Sequence, residues 1–357
     1  MSIIVITGSS GLVGSECVRF FHEKGFDILG IDNNKRQYFF GKGASVEKTT
    51  YSLKQNFPRY DHRPVDICDS VGMRRIFSHY KNEIVGVIHT AAQPSHDWSA
   101  REPLIDFQVN ALGTVNLLEL VRTHCPEAVF IFTSTNKVYG DRVNSLNFIE
   151  EETRYEPDEF CPIAPFGISE KTDIDDSTHS PFGASKLAAD IMVQEYGRYF
   201  GIRTGVFRAG CITGPAHAGA ELHGFLSYLV KYSFRVPSHR RNPLLPYNIY
   251  GYKGKQVRDN IHSSDLVDAF WEFYQNPRPG EVYNIGGSNF SNCSILEAIA
   301  YIEKNSNNVF NYKILPEPRV GDHIWWISDV RKFQSHYPNW KYKYGIEDIL
   351  SELIESC

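Results

Sequence analysis

A short β-branched run, a glycine-rich turn and a helical stretch succeed one another at the start of the chain. Ile3-Ile4-Val5-Ile6 is apolar and β-branched, as a strand buried on both faces is. Thr7-Gly8-Ser9-Ser10-Gly11-Leu12-Val13-Gly14 follows, and a helix is predicted from Ser15 to about Lys24. That order makes a phosphate cradle. Glycines let backbone N–H groups approach a pyrophosphate, and the helix N-terminus adds a favourable field. A tight turn that needs glycine for its own geometry is the competing reading. The next run, Phe26-Asp27-Ile28-Leu29-Gly30-Ile31, weighs against it by ending at Asp32. An acid roughly 20 residues past the glycines accepts from adenosine ribose hydroxyls and repels a 2′-phosphate. NAD is therefore expected over NADP. Lys35 and Arg36 weaken that preference unless they belong to an ordinary solvated loop.

The pattern continues as alternating strands and helices. A strand leads into Val65-Asp66-Ile67-Cys68-Asp69, followed by a helix to about Tyr80. Ile84-Val85-Gly86-Val87-Ile88-His89 reads as a strand that leaves through Thr90-Ala91-Ala92-Gln93. Residues 104–123 carry Leu112, Val115, Leu118, Leu120 and Val121 at helical spacing. Val129-Phe130-Ile131-Phe132 is the central strand and runs into Thr133-Ser134-Thr135. Such alternation predicts an α/β fold with a doubly wound parallel (Rossmann) sheet and ligands at the carboxyl ends of its strands. Beyond Thr204 the pattern loosens, and Pro and Gly cluster between Gly214 and Gly254. Residues 1–203 are therefore expected to form the cofactor domain. Residues 204–357 should form a smaller, partly interwoven substrate lobe.

Composition narrows the classes. The chain has 357 residues and a net charge of −5, so it carries no nucleic-acid footprint. No apolar run approaches the roughly 20 residues of a membrane span. The chain opens directly on a strand, without a signal-peptide core. Its seven cysteines contain no Cys-x-x-Cys pair and read as free thiols of a reducing cytoplasm. Its thirteen histidines show no metal-ligand spacing, so no metal is expected.

Narrower signals lie in Ser134-Thr135-Asn136-Lys137-Val138-Tyr139-Gly140-Asp141, Glu152-Thr153-Arg154-Tyr155, His179-Ser180-Pro181 and Gly254-Lys255-Gln256-Val257-Arg258-Asp259. With the glycine turn and Lys186, these make the chain resemble the extended short-chain dehydrogenase/reductases over essentially its whole length. The likeness is to their nucleotide-sugar epimerase and dehydratase group and, within it, the CDP-tyvelose (CDP-paratose) 2-epimerases. The resemblance implies a bound NAD that takes hydride from a sugar carbon and returns it to the other face. It also implies a nucleotide-sugar partner, a CDP-sugar by preference, and a homodimer built on helices near 104–123 and 183–200. The implied cofactor contacts are Gly8, Gly11, Leu12, Val13, Gly14, Asp32, Asn33, Asp66, Ile67, Ala91, Ala92, Gln93, Asn110, Thr133, Lys186 and Arg208. The implied substrate contacts are Thr135, Asn136, Cys211, Arg258, Arg319 and Asp322. The arginines would clamp the diphosphate, since guanidinium meets phosphate in a bidentate fork. Trp325-Trp326 reads as core packing, with stacking on a base as the alternative.

Two departures matter. Dehydratases of this group carry an Asp-Glu pair directly after the threonine that matches Thr135, because elimination needs an acid and a base. Asn136 and Lys137 stand there instead, which favours epimerisation or a simple redox step. The second departure is Phe182. Ser180-Pro181-Phe182-Gly183-Ala184-Ser185-Lys186 matches the family's Tyr-x-x-x-Lys turn, but the phenol that moves the proton is missing. Thr135, Phe182 and Lys186 are thus the catalytic positions. Three accounts stand open. The chain is a variant disabled by one lost oxygen, a reading favoured by its intact neighbours. Or it is a natural protein that binds without catalysis. Or another group supplies the base.

Overall fold

The structure is a computed structural model that describes residues 2–215, 224–234, 246–306 and 308–357. Part of the Pro- and Gly-rich stretch between Gly214 and Gly254 lies outside the described residues. A seven-stranded sheet organises the chain: β1 Ile3–Thr7, β2 Asp27–Ile31, β3 Tyr60–Arg63, β4 Ile84–His89, β5 Val129–Thr135, β6 Thr204–Ala209 and β7 Glu281–Ile285. Every neighbouring pair is parallel, and the spatial order is β7-β6-β5-β4-β1-β2-β3. The chain winds outward from β1 in one direction and then from β4 in the other. The topological switch point therefore lies beside Thr7, where the glycine turn begins.

The uninterrupted apolar runs follow from this burial. Val5, Leu29, Val87, Phe130 and Phe132 enter one core, with Leu117, Val121 and Val193 from the helices above them. Ile4, Ile6, Ile28, Ile88, Ile131 and Phe207 enter the opposite core, with Val18, Phe21 and Phe270. Burying apolar surface on both faces is what a parallel sheet requires. Strands β6 and β7 come from beyond residue 203, so the last two strands of this sheet lie in the later part of the chain.

The first helix spans Leu12–Glu23, three residues earlier than expected, because Gly11 already serves as its N-cap. The helical run Pro103–His124 contains a π-helical turn at Gln108–Leu112. Within it Leu117, Leu118, Leu120 and Val121 are buried, whereas Leu112, expected on the apolar face, is 55% exposed. The π turn rotates that position out of the stripe. The expectation that no apolar run approaches membrane length also needs correction. Among the described residues, this 22-residue run is long and apolar enough to cross a membrane, yet 56% of its apolar window is buried inside the fold. Its apolarity serves the core.

A second, smaller layer covers the carboxyl ends of the strands. Cys211–Thr213, Val257–His262, Asn292–Ser294 and Trp325–Trp326 form a small mixed sheet. Tyr247–Tyr250 pairs with Tyr312–Leu315. The helices Phe225–Phe234, Ile295–Ser306 and Ile346–Glu355 share a third core. Trp325 and Trp326 are fully buried, so they pack rather than stack on a base.

Candidate active site

A cleft of about 520 Å³ runs along the switch point, between the strand ends and the smaller layer. One side is lined by Gly8, Ser10, Gly11, Leu12 and Val13 of the turn, by Asp32 and Asn33 after β2, and by Asp66, Ile67, Ala91 and Ala92. Gly8 has φ +67°, and a Cβ there would lie 2.8 Å from the Ala91 nitrogen, so only glycine allows this approach. Leu12 and Val13 open the first helix, where N–H groups have no intrahelical acceptor, and both residues line the cleft. The Asp32 carboxylate accepts from the Ser10 N–H at 3.0 Å and the Asn34 N–H at 2.8 Å. Lys35 is paired with Asp66 at 3.0 Å. Arg36 lies over the Phe40 ring.

Thr135, Phe182 and Lys186, the positions expected to be catalytic, all line the cleft. Thr135 ends β5, and its Oγ1 accepts from the Lys137 N–H at 3.2 Å. Lys186 Nζ donates to the Thr133 carbonyl at 2.7 Å and sits 4.0 Å from the Phe132 ring centroid. Burial pushes its pKa down to about 7, against the pull of Asp190 and Asp106. Thr133 Oγ1 is buried with no hydrogen-bond partner among the described residues, although Thr133 lines the cleft. Phe182 is buried against the His96 ring, with centroids 5.0 Å apart, and its N–H donates to Ser99 Oγ. The Ser180 hydroxyl meets His96 Nδ1 at 2.7 Å from a backbone held at φ +61°. A serine in that region stores strain, which concentrates at working sites.

The far side carries charge. Arg258 is held by its own neighbours: it donates to Asp322 Oδ1 at 2.6 Å, to the Val257 carbonyl at 2.7 Å and to the His323 carbonyl. Burial acts to raise the Asp322 pKa, but the charges of Arg258 and Lys137 outweigh it and hold the carboxyl well below its ordinary range. Arg319 lies 4.6 Å from the Tyr250 ring centroid and makes no ion pair among the described residues. Burial pushes the Cys211 thiol up to about 12, which suits a contact and not a nucleophile.

Residues 4–286 match the NAD dependent epimerase/dehydratase family. The chain belongs to that family. It is 31% identical to CDP-paratose 2-epimerase of Salmonella typhi over 354 residues, covering 99% of this chain and 98% of the relative. It is 30% identical to dTDP-glucose 4,6-dehydratase of Escherichia coli over 308 residues, covering 84% and 76%. Its fold matches a tyrosine-to-phenylalanine mutant of UDP-glucuronic acid 4-epimerase from Bacillus cereus, solved with UDP-4-deoxy-4-fluoro-glucuronic acid and NAD. That match has TM-score 0.75 and 22% identity and covers 99% and 98% of the two chains. NAD is the cofactor of this family, and the residues present fit it. The turn offers a backbone cradle that a Cβ would fill, Asp32 stands where a ribose acid belongs, and Thr133 Oγ1 lacks a partner.

Four residues expected at the cofactor do not line the cleft. Gly14 faces the turn from behind: a Cβ there would lie 2.0 Å from the Gly8 carbonyl oxygen. It lets helix and strand pack closely. Gln93 and Asn110 are buried and bond with each other and with Asp106 and Ser185 behind the wall. Arg208 points away, holding buried Asp190 at 3.0 and 2.9 Å and Tyr139 Oη at 2.9 Å. Its guanidinium neutralises the buried Asp190 carboxylate, so it serves the fold. Conversely, the cleft includes His96 and Lys137, which were absent from the expected contacts. Lys137 had a signal, since it sits two residues past Thr135. His96 had none, because only the fold brings the helix His96–Arg101 against Phe182.

Proposed function

We propose that this chain is an NAD-dependent nucleotide-sugar epimerase of the CDP-sugar 2-epimerase type. The carrying observation is the pair after Thr135. Asn136 and Lys137 line the cleft where elimination would need a carboxylic acid and a carboxylate, and an amide has no pKa near neutrality with which to act as general acid or base. The likeness to the Salmonella typhi enzyme along nearly the whole of both chains supports the CDP-sugar assignment.

When bound, NAD supplies the acceptor and donor of hydride at the sugar carbon. The chain's own residues do the rest. Leu12 and Val13 offer N–H groups to the pyrophosphate, and Asp32 accepts from the adenosine ribose. The Thr135 hydroxyl holds the reacting oxygen, and Lys186 holds the nicotinamide ribose. Arg319 meets the diphosphate of the sugar nucleotide beside the Arg258–Asp322 pair. Leu104, Phe107 and Leu112 of the 103–124 run and Ile191, Tyr199 and Phe200 of the Ser180–Phe200 helix leave apolar side chains exposed. That face suits a homodimer.

The test loads the protein with NAD and offers CDP-, UDP-, GDP- and dTDP-sugars in deuterated water, reading products by NMR. Inversion at one carbon that keeps its own hydrogen supports the reading. Deuterium at that carbon sinks the hydride route. A dehydrated keto sugar would make the chain a dehydratase. Binding without turnover, in the parent and in Phe182→Tyr alike, would make it a binding protein.

A further inference from the structure

We propose that Lys137 supplies the acid/base group that Phe182 lacks, taking the proton from the reacting sugar hydroxyl and returning it. The inference rests on the epimerase reading above and commits to one account of the missing phenol. In the oxidative half, the hydroxyl proton passes to the neutral Lys137 amine while the carbon gives its hydride to bound NAD+, leaving a ketone and an ammonium. In the reductive half, hydride returns to the other face and the ammonium reprotonates the alkoxide oxygen. Proton and electrons balance within one cycle, and no outside oxidant is needed.

Position comes first. Lys137 lines the same cleft as Thr135, Phe182 and Lys186. Its backbone N–H is bonded to the Thr135 hydroxyl at 3.2 Å, which ties it to the group that holds the reacting oxygen. Its carbonyl packs on the first turn of the helix that carries Phe182: a Cβ at Gly183 would lie 2.8 Å from it. Its Nζ donates to the Gly321 carbonyl at 2.9 Å. Gly321 faces His96, whose ring touches Phe182. The amine is thus anchored on the Phe182 side of the cleft. Its side chain keeps 15% exposure there, whereas Lys186 is buried against the β5 backbone.

Chemistry then selects among the neighbours. A proton carrier works best with a pKa near the operating pH. The groups that interact electrostatically with Lys137 are Asp322, Arg258, Cys211, His96 and His323. Burial holds His96 at about 3 and Cys211 at about 12. Asp322 stays ionised beside Arg258, and burial drives His323 well down. Burial, reinforced by Arg258, brings Lys137 to about 8. Asp322 is the group that would fix it as ammonium. That carboxylate is 3.7 Å away and already engaged by Arg258 at 2.6 Å. Lys186 titrates lower, at about 7, but its amine is turned to the Thr133 carbonyl.

Four proteins test this: parent, Lys137→Met, Lys137→Arg and Lys137→Met combined with Phe182→Tyr. Lys137→Arg keeps the cation and a donor to Gly321 but cannot give up a proton, which separates proton transfer from folding. Lys137→Met and Lys137→Arg should both lose turnover by about 10²–10⁴-fold, the usual share of one acid/base group. NAD and nucleotide-sugar affinities, measured by calorimetry, should stay at parental values. Phe182→Tyr should restore turnover to the Lys137→Met protein. The parental rate should rise with pH through about 8, because the amine works as a base only when deprotonated. Independently of turnover, modification of Lys137 by an amine-selective reagent, followed by mass spectrometry, should show the same midpoint. Parental turnover in Lys137→Met would overturn the proposal and leave the epimerase reading intact. So would an idle parent beside an active protein that combines Lys137→Met with Phe182→Tyr, which would make the chain a disabled epimerase. Failure of all four proteins on a bound nucleotide sugar would remove both.

Discussion

On the cofactor side of the cleft, Gly8, Ser10, Gly11, Leu12 and Val13 come from one turn between a strand and a helix. On the substrate side, Lys137 reaches the Gly321 carbonyl 184 residues away, and Arg258 reaches Asp322 64 residues away. The first side presents backbone N–H groups whose directions are set by local geometry. The second presents side-chain charges whose pKa values are set by one another. A backbone cradle recognises any pyrophosphate, while a charge cluster can be retuned by one substitution. The family can therefore keep its cofactor and vary its chemistry on the other wall.

The largest effect should come from a residue that belongs to neither wall. Arg208 and Asp190 form a buried ion pair at 2.9 Å, with side-chain exposures of 6% and 0%. Arg208→Met leaves that carboxylate uncompensated, which costs about 3–5 kcal/mol of stability. Urea unfolding should show the loss, while NAD affinity of the folded protein stays put. Unchanged stability with lost NAD affinity would instead return Arg208 to the cofactor wall.

The same contrast explains what was legible in the sequence. The glycine turn, Asp32 and the parallel, doubly wound sheet were readable because periodicity and turn chemistry act over a few residues. Sequence shows that position 14 needs glycine, and not that a side chain there would collide with the Gly8 backbone behind the cleft wall. Gln93, Asn110 and Arg208 carry polar groups that suit a ligand or a buried network equally well, and only three-dimensional partners distinguish the two. His96 reaches Phe182 solely through folding. Lys137 was visible as a reason against elimination, but its depressed pKa follows from burial and from an Asp322 already taken by Arg258. Neither can be read along the chain.

The substrate wall is next in size. Arg319 makes no ion pair among the described residues, so on the proposed reading Arg319→Ala removes a phosphate contact and the packing on the Tyr250 ring. It should weaken nucleotide-sugar binding by about 1.5–3 kcal/mol, the worth of a charged hydrogen bond, with NAD binding unchanged. Arg258→Ala should behave differently. It frees Asp322 to hold Lys137 as ammonium, so the Lys137 pKa rises above about 8 and the basic limb of the rate moves to higher pH. Identical pH profiles for the two variants would show that the two arginines play one role.

The smallest effect probes the cofactor wall at Asp32. Its carboxylate already accepts two backbone N–H groups, so part of its role is to shape the turn. Only the remaining acceptor capacity is free for the ribose, and Asp32→Ala should weaken NAD by about 1 kcal/mol, one net hydrogen bond. NADP should respond in the opposite sense, because a 2′-phosphate no longer meets a carboxylate. Lys35 does not offset this in the parent, since Asp66 holds it at 3.0 Å. Asp32→Asn separates the two contributions: it keeps an acceptor for the turn but removes the charge. Calorimetric titration of both cofactors against both variants gives the comparison. A gain for NADP in Asp32→Asn, with NAD little changed, assigns the preference to charge. Equal losses for both cofactors in Asp32→Ala would mean that Asp32 only holds the turn, leaving cofactor choice to another residue of that wall.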